Sequence, residues 1–266
     1  MMNLRRNKLL NNKDVVKENY HLMLGDCLER MKEIPDGSID LILTDPPYAT
    51  TKNKWDSIIP FEPMWDQLKR IIKPKGVIVL FAQTPFDKIL GASNIGMLKY
   101  EWVWFKNRPT GHLNSKFAPL KSHENILVFT KGSTSFVKNT KNSSTYNPQG
   151  LVACLKVNKR TRGNGNYDEV NNKMENVALF ENYPKSVLSF KVEVGLHPTQ
   201  KPVALLEYLI KTYTNEGDTV LDFTFGSGST CVAALNTNRK FKGVEMNEGY
   251  FNIAVERINM VVNQSY

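Results

Sequence analysis

The chain has 266 residues, of which 41% are hydrophobic and 23% are charged, and this globular composition excludes a disordered or fibrous protein. Its 35 Lys and Arg residues against 26 Asp and Glu give a formal net charge of +9, which favours a polyanionic partner. The three cysteines show no close spacing, so neither a disulfide scaffold nor a zinc cluster is expected. With no signal peptide or membrane span predicted, we expect a soluble cytoplasmic protein without a membrane partner.

The first half of the chain alternates short apolar runs with helical patterns. Strands are predicted at 20–24, 39–44, 77–81, 100–105 and 125–130, helices at 26–34, 61–72 and 85–90, and a loop at 49–60. Trp102 and Trp104 alternate along one of these strands and are predicted to be core residues. Because the strand candidates are continuously apolar, the pattern predicts an α/β fold with a doubly wound, mostly parallel, Rossmann-like sheet.

The alternation stops between residues 131 and 190. This stretch carries nine Lys or Arg and four Asp or Glu, and its apolar runs are short. It is too long for a simple connection, so it predicts an inserted subdomain or binding arm, and a solvated surface insertion is the alternative. Regular elements then return as a helix at 202–213, a strand at 219–223, a helix at 229–235, a strand at 241–245 and a final helix from a cap at Asn247 to about residue 261.

A glycine-rich turn follows the predicted strand at 219–223. It contains Asp222, Gly226 and Gly228, and the acidic Glu245 ends the next strand. Such a turn lets the backbone approach a ligand, presents a helix N-terminus to an anion and offers an acid to ribose hydroxyls. The spacing fits neither a dinucleotide nor a phosphate loop, whereas S-adenosylmethionine has a carboxylate and a ribose but no phosphate. The alternative is that the glycines only form a tight turn.

The tetrapeptide Asp45-Pro46-Pro47-Tyr48 directly follows the predicted strand at 39–44. The ends of strands are where ligands bind in doubly wound sheets. The prolines fix a rigid segment that combines a carboxylate, a backbone carbonyl and an aromatic ring. An exocyclic amine needs such a set, because two acceptors take its hydrogens while the aromatic face holds its ring. The alternative is a proline-terminated strand with a surface tyrosine.

Together these motifs resemble the DPPY-type amino-methyltransferases, which modify the exocyclic amine of adenine or cytosine in DNA. The resemblance covers about 20–259 and rests on 45–48, on 122–129 (SHENILVF), on 197–202 (HPTQKP), on 221–230 and on 243–245. Because the tetrapeptide precedes the glycine turn, the order matches the circularly permuted β group of that family. The sequence departs from the family at Phe223-Thr224-Phe225, where Asp-Pro-Phe is common.

The resemblance implies roles for individual residues. The catalytic residues that it implies are Asp45, Pro46, Pro47 and Tyr48. The implied cofactor is S-adenosyl-L-methionine, bound by Asp26, Cys27, Asp45, His197, Thr199, Lys201, Asp222, Phe223, Gly226, Ser227, Gly228, Ser229, Thr230, Glu245 and Met246. No metal is implied. Read alone, Asp26 is equally a helix N-cap and His197 is equally a loop histidine.

The resemblance also divides the chain and implies a substrate. The parts are a basic N-terminal arm (1–19), the catalytic half (20–130), a target-recognition insertion (131–190) and the cofactor-binding half (191–266). The implied target is the N6 amine of a flipped-out adenine in double-stranded DNA, since adenine enzymes usually carry Asp at the first motif position and cytosine-N4 enzymes often carry Ser. The alternatives are cytosine-N4 methylation, an RNA or protein-amide methyltransferase, and a DNA-binding protein that has lost catalysis. A cognate restriction endonuclease and a homodimer are further expected partners.

Overall fold

The computed structural model describes residues 13–49, 57–134, 143–158, 176–193 and 200–264. The chain divides into two compact units. The first comprises Met1–Asn147 and Ser186–Tyr266, and the second is Pro148–Lys185. Most of the predicted N-terminal arm and most of the loop predicted at 49–60 lie outside the described residues.

The elements alternate along the chain as the sequence predicts. The strands are β1 Val15–Val16, β2 Tyr20–Leu24, β3 Ile39–Thr44, β4 Ile72–Ala82, β5 Leu98–Thr110, β6 Lys121–Thr130, β7 Val152–Asn158, β8 Asn176–Glu181, β9 Val187–Phe190, β10 Thr219–Asp222 and β11 Lys240–Glu245. The helices are α1 Cys27–Met31, α2 Phe61–Ile71, α3 Phe86–Ser93, α4 Val203–Tyr213, α5 Ser229–Asn236 and α6 Glu248–Gln264. None of the helices in the described ranges combines the length and apolar character needed to cross a membrane.

The first unit is built on one sheet, whose described strands lie in the order β1-β2-β11-β10-β3-β4-β6-β5-β9. From β2 to β4 the pairings are parallel, and β9 is parallel to β5. β6 runs antiparallel to both β4 and β5. This reversal follows from the short β5–β6 connection, because parallel neighbours need a crossover of a dozen or more residues. The predicted doubly wound, mostly parallel sheet is confirmed.

Helices cover both faces of this sheet. On one face, α4, α5 and α6 pack on strand residues such as Leu41 and Val79, and on the other, α1, α2 and α3 pack on residues such as Ile42 and Ile78. Neighbouring residues of a strand thus enter opposite cores, as the alternation of side chains along a strand requires. The predicted core residues Trp102 and Trp104 are both buried.

The order of the strands brings two distant motifs together. β3 pairs in parallel with β10, with Val220 opposite Leu41 and Leu221 opposite Ile42. The carboxyl ends of parallel strands meet at the same edge of a sheet. The residues that follow β3 therefore lie beside the residues that follow β10, although about 178 positions separate them in the chain.

The second unit is a two-stranded antiparallel sheet formed by β7 and β8, in which Ala153 lies opposite Phe180. Both strands overlap short apolar runs of the sequence, at 151–157 and 177–180. The stretch 131–190 also contains β9, which pairs with β5 in the main sheet. The part of that stretch that folds as a separate unit is thus Pro148–Lys185.

Candidate active site

A cleft of about 590 Å³ lies at the edge of the sheet where β2, β3, β10 and β11 end. Fifteen of the predicted site residues line it: Asp26, Cys27, Asp45, Pro46, Pro47, Tyr48, Lys201, Asp222, Phe223, Gly226, Ser227, Ser229, Thr230, Glu245 and Met246. Gly228 lies behind the cleft wall as the N-cap of α5. His197 and Thr199 fall outside the described residues. The structure therefore brings the tetrapeptide and the glycine turn to one cavity.

The glycine turn adopts a conformation that favours glycine. Gly226 has a φ of +53° and Gly228 a φ of +81°, both in the left-handed region. A Cβ placed on Gly228 would lie 2.9 Å from the Cβ of Ala254 in α6. Gly228 thus serves the close packing of α6, while Gly226 faces the cleft. The tight-turn interpretation thus holds for Gly228, and the approach of a ligand to Gly226 stays a prediction.

Asp222 ends β10, and its carboxylate accepts three hydrogen bonds from described residues. Its Oδ1 accepts the hydroxyl of Thr44 at 2.7 Å and the backbone N–H of Thr224 at 3.1 Å, and its Oδ2 accepts the hydroxyl of Thr230 at 2.6 Å. Burial raises the pKa of this carboxyl to about 6, despite these donors. Asp222 therefore ties the ends of β3 and β10 to the start of α5, and its predicted contact with a cofactor stays a prediction.

Glu245 ends β11 and faces the same cleft. Its Oε2 accepts the backbone N–H of Gly226 at 2.9 Å, and its Oε1 accepts that of Asn247 at 2.7 Å. Burial raises the pKa of this carboxyl above its ordinary value. Each carboxylate oxygen has two lone pairs, so the geometry leaves capacity for hydroxyl donors of a ligand.

Asp26 and Cys27 follow β2 and line the cleft beside Glu245, because β2 pairs directly with β11. The Oδ1 of Asp26 accepts the backbone N–H groups of Leu28 at 2.9 Å and Glu29 at 3.2 Å, which makes it the N-cap of α1. The N-cap interpretation is thus confirmed, and a contact between Asp26 and a cofactor stays a prediction. Burial raises the pKa of the Cys27 thiol to about 12, so this side chain contacts the cleft as a neutral group.

The tetrapeptide leaves β3 as an extended segment and places its acid and its ring together. The hydroxyl of Tyr48 donates to Oδ1 of Asp45. The backbone carbonyl of Asp45 accepts the hydroxyl of Thr224 at 3.2 Å, which links the tetrapeptide to the glycine turn. The Tyr48 ring packs 5.0 Å from the ring of Phe86, measured between centroids. Tyr48 is half-buried rather than a surface residue, and its ring lines the cleft.

A buried ion-pair cluster surrounds the other oxygen of Asp45. The ammonium of Lys201 donates to Oδ2 of Asp45 and lies 3.4 Å from Oε2 of Glu124. Glu124 Oε1 also accepts the ammonium of Lys106 at 2.5 Å and the amide of Gln83 at 2.8 Å. Within the described part of the chain, Glu124 Oε2 is buried without a hydrogen-bond partner. The cluster therefore has two cations, Lys201 and Lys106, and two anions, Asp45 and Glu124. One oxygen of Glu124, Oε2, is available as a further acceptor.

These neighbours set the charge states of the cluster. Burial and the charge of Glu124 raise the pKa of Asp45, against the opposing pull of Lys201. Burial acts against ionisation of Glu124 and of Lys201 as well, but the opposite charges around each of them outweigh it. The pKa of Glu124 is consequently lowered and that of Lys201 is raised, so both of these groups are charged at neutral pH.

The sequence did not assign roles to several of these residues. Glu124, Lys106 and Gln83 come together only through the pairing of β4, β6 and β5. The available signal for Glu124 was its place in the segment SHENILVF, which carried part of the family resemblance. The family resemblance implies a cofactor contact for Lys201, which stays a prediction, and in the structure the Lys201 ammonium is bound to Asp45. Among the described residues, no group of three or more His, Cys, Asp or Glu side chains is arranged to hold a metal ion.

Comparisons with known proteins agree with this geometry. A family model described as DNA methylase matches residues 39–256. The Type II methyltransferase M.HpaI of Haemophilus parainfluenzae is 30% identical over 260 residues, covering 91% of this chain and 75% of that protein. The DNA adenine methyltransferase YhdJ of Escherichia coli is 28% identical over 256 residues, covering 91% of this chain and 83% of that protein.

Solved structures with the same fold are also found. The M1.HpyAVI–SAM complex aligns with a TM-score of 0.60 and 24% identity, covering 90% of this chain and 99% of that one. The cytosine-N4-specific PvuII DNA methyltransferase aligns with a TM-score of 0.64 and 16% identity, covering 94% of this chain and 93% of that one. At these identities the likeness establishes the shared fold.

Proposed function

This chain belongs to the DNA methylase family, and from that premise we propose that it transfers a methyl group from S-adenosyl-L-methionine to the N6 amine of an adenine flipped out of double-stranded DNA. The observation that carries the proposal is the cleft in which Asp45 and Tyr48 face the same space as Gly226 and Glu245. One wall thus has the groups that an exocyclic amine needs, and the other has those that a nucleoside with a carboxylate needs.

The cofactor side of the cleft fits S-adenosylmethionine by the chemistry of its donors and acceptors. The Glu245 carboxylate, already ordered by two backbone N–H groups, is suited to accept ribose hydroxyls. The left-handed Gly226 lets the main chain approach the ligand without a side chain in between. Asp26 and Met246 offer an acceptor and an apolar contact at the rim. When bound, the cofactor supplies an electrophilic methyl group on a sulfonium.

The target base must leave the duplex, because its amine cannot reach the cleft from inside the stack. Flipping costs a few kcal/mol, and stacking on the ring of Tyr48 returns about 1–3 kcal/mol of that. The Asp45 carboxylate and the Pro46 carbonyl then accept the two amine hydrogens. These hydrogen bonds draw the nitrogen lone pair out of conjugation with the ring and aim it at the methyl carbon.

In the transfer, the amine nitrogen would gain the methyl group and positive charge, and the sulfonium would leave as a neutral thioether. An ionised Asp45 beside that nitrogen stabilises the charge, and Tyr48 holds the carboxylate in place. The methylated amine then loses one proton, which Asp45 accepts or passes to water. In this scheme proximity and electrostatic stabilisation lower the barrier, and no strong base is needed.

Adenine is favoured over cytosine by two observations. Asp occupies the first position of the tetrapeptide, where cytosine-N4 enzymes of this type often carry Ser. The Escherichia coli relative is named a DNA adenine methyltransferase. Cytosine-N4 transfer is the second candidate, because the PvuII enzyme shares this fold and the two amines present the same pair of hydrogens.

The test is methylation of unmethylated bacterial DNA by the purified protein with isotopically labelled S-adenosylmethionine, with the Asp45→Ala variant as control. After digestion to nucleosides, mass spectrometry should find labelled N6-methyldeoxyadenosine with the wild type only. Labelled N4-methyldeoxycytidine alone would overturn the adenine assignment. Label in RNA or protein only, or in no polymer, would overturn DNA methylation. Sequencing of the modified bases maps the recognition site.

The remaining parts of the proposal concern recognition and cellular context. We assign target recognition to 131–190, including the unit Pro148–Lys185, because five of the nine net positive charges lie there. Action in a bacterial cytoplasm, alone or beside a cognate restriction endonuclease, agrees with the bacterial Type II relatives. The permuted β-group order of motifs and a homodimer are proposed from the family resemblance.

A further inference from the structure

Two large apolar side chains project from the β5–β6 loop. Leu113 is 100% exposed and Phe117 is 89% exposed, more than any other large hydrophobic side chain in the described ranges. Water is an unfavourable surrounding for such side chains, and an ordinary surface loop carries polar residues instead. Their joint exposure within five residues points to a partner that covers them.

The loop holds these two side chains in a defined conformation. Gly111 turns the chain with a φ of +92°, and a short 3₁₀ turn follows at His112–Asn114. The carbonyl of Asn114 accepts the backbone N–H groups of Phe117 and Ala118, both at 2.9 Å. Consecutive hydrogen-bonded turns therefore present Leu113 and Phe117 outward on a compact support.

The loop emerges at the same edge of the sheet as the candidate active site. β5 is antiparallel to β6, which is antiparallel to β4, so β5 and β4 end at the same edge. Thr110, the last residue of β5, and Glu124, near the start of β6, both line the cleft. The loop that carries the two exposed side chains thus leaves the sheet at the edge where the cleft lies, and we call this edge the rim.

The rim around them is strongly basic. Arg108, Lys116 and Lys121 are exposed, and no Asp or Glu occurs between residues 105 and 123. Cations of this kind neutralise the phosphates of a nucleic acid backbone. A second copy of this chain, with its own positive loop, would be repelled by the same charges.

Apolar side chains flanked by cations are typical of proteins that unstack neighbouring base pairs in DNA. Such proteins insert Phe, Leu, Ile or Met between base steps while Lys and Arg hold the backbone. Resting on the proposed function, we propose that Leu113 and Phe117 insert into the base stack of double-stranded DNA and fill the space that the flipped target base leaves. Arg108, Lys116 and Lys121 bind the adjacent phosphates.

The experiment compares the Leu113→Ala/Phe117→Ala double variant with wild type on two duplexes that carry the mapped recognition site. One duplex is fully paired, and in the other the target base is mispaired. The matched control is Ile95→Ala, which removes a side chain that is 70% exposed beyond the opposite edge of the sheet, before β5 begins. Thermal unfolding of all three proteins checks that each is folded.

We expect the double variant to lose about tenfold or more in kcat/KM on the paired duplex and less than about threefold on the mispaired one, because a mispaired base is easier to extrude. Ile95→Ala should equal wild type on both. Equal losses on both duplexes, or no loss on either, would overturn the insertion. So would a change of sedimentation coefficient in the variant, which assigns the surface to a second copy, or wild-type binding to anionic lipid vesicles that the variant lacks. If wild type itself methylates neither duplex, the proposed function fails instead.

Discussion

The two walls of the cleft hold their carboxylates by different means. On the glycine-turn wall, the donors that Asp222 and Glu245 have among the described residues are neutral, namely threonine hydroxyls and backbone N–H groups. On the tetrapeptide wall, Asp45 shares the charged cluster with Lys201 and Glu124. Asp222 is buried, whereas Asp45 and Glu245 are each partly exposed. The difference between the walls therefore lies in the partners of the carboxylates, since each wall includes a partly exposed one.

This difference separates a fixed wall from an adjustable one. The threonine hydroxyls and backbone N–H groups that hold Asp222 and Glu245 belong to β3, to α5 and to the turns after β10 and β11, so the glycine-turn wall is held by the elements that form it. An ammonium on a long side chain can move between two carboxylates, and Glu124 Oε2 is a second acceptor 3.4 Å from Lys201. Under the proposed function, the adjustable wall is where an incoming amine would compete with Lys201 for Asp45.

The largest effect should come from removing one acid from each wall in turn. We expect Asp45→Ala to lower the rate of methyl transfer by about 10³, because it removes the group that faces the developing charge. Its dissociation constant for S-adenosylmethionine should stay within about threefold of wild type. Glu245→Ala should show the reverse pattern, with weakened cofactor binding. Calorimetric titration and single-turnover rates measure the two quantities, and loss of cofactor binding in Asp45→Ala but not in Glu245→Ala would contradict the division.

The second effect concerns the stability of the glycine-turn wall. Because the pKa of Asp222 is raised to about 6, the protonated side chain stabilises the fold relative to the ionised one. This stabilisation is complete at pH values below the ordinary pKa of 3.8 and is lost as the pH rises through 6. A shift of this size corresponds to about 3 kcal/mol. The stability of Asp222→Asn relative to wild type should therefore rise by about that amount between pH 4 and pH 7.

Chemical denaturation at several pH values measures this difference. Asp66→Asn, at an exposed position of α2, is the control and should follow wild type across the same range. If the free energies of unfolding of Asp222→Asn and wild type differed by a constant amount over the whole pH range, ionisation of Asp222 would not destabilise the fold.

A smaller effect is expected from replacing Glu124, whose Oε2 is the second acceptor near Lys201 in the adjustable wall. In Glu124→Gln the ammonium of Lys201 should stay on Asp45, which we expect to lower kcat by about tenfold. The charge of Glu124 raises the pKa of Asp45, so its removal should also shift the acidic limb of the kcat–pH profile to lower pH.

The control for this change is Glu101→Gln, which neutralises an exposed acid on the same sheet region, in β5. It should leave both kcat and the acidic limb unchanged. A Glu124→Gln variant with lower kcat but an unmoved limb would show a structural role for Glu124 instead of an electrostatic one.

The smallest effect is expected from substitutions outside both walls, and it should concern DNA binding. Neutralising Lys156, Lys159, Arg160 and Arg162, of which only Lys156 lies in the described residues, should weaken DNA binding and reduce its salt dependence by up to about 0.9 per lost phosphate contact. The rate of methyl transfer at saturating DNA should remain that of wild type. Fluorescence anisotropy across a salt series measures the slope, and an unchanged slope would remove this segment from the DNA interface.

The sequence predicted the fold because its signals are local. Apolar runs marked the strands β2 and β3 at their observed bounds, and the predicted Asn247 cap is confirmed, since its Oδ1 accepts the N–H of Tyr250 at 3.1 Å. Helix α2 ends one residue earlier than predicted because Ile72 is already extended and begins β4. The antiparallel β6 and the edge strand β9 depend on pairing over long distances, which local patterns do not encode.

The sequence could predict those parts of the candidate site whose functional groups are contiguous in a short motif. The tetrapeptide and the glycine turn do so, and both line the cleft. The ion-pair cluster was not predictable, because Lys201 meets Asp45 from 156 positions away and Glu124 from a different strand. Lysine and glutamate side chains are normally solvated, and only the folded chain brings Lys201 and Glu124 together in the lining of the cleft.

The pairing of β3 with β10 has a practical consequence for dividing the molecule. Thr44 and Asp222 meet at the centre of the sheet, yet the separate unit Pro148–Lys185 lies between them in the chain. A polypeptide cut inside that unit yields one fragment with the tetrapeptide and another with the glycine turn. Neither fragment holds a whole cleft. If each fragment were fused to one of two proteins whose association can be induced, DNA methylation would report that association.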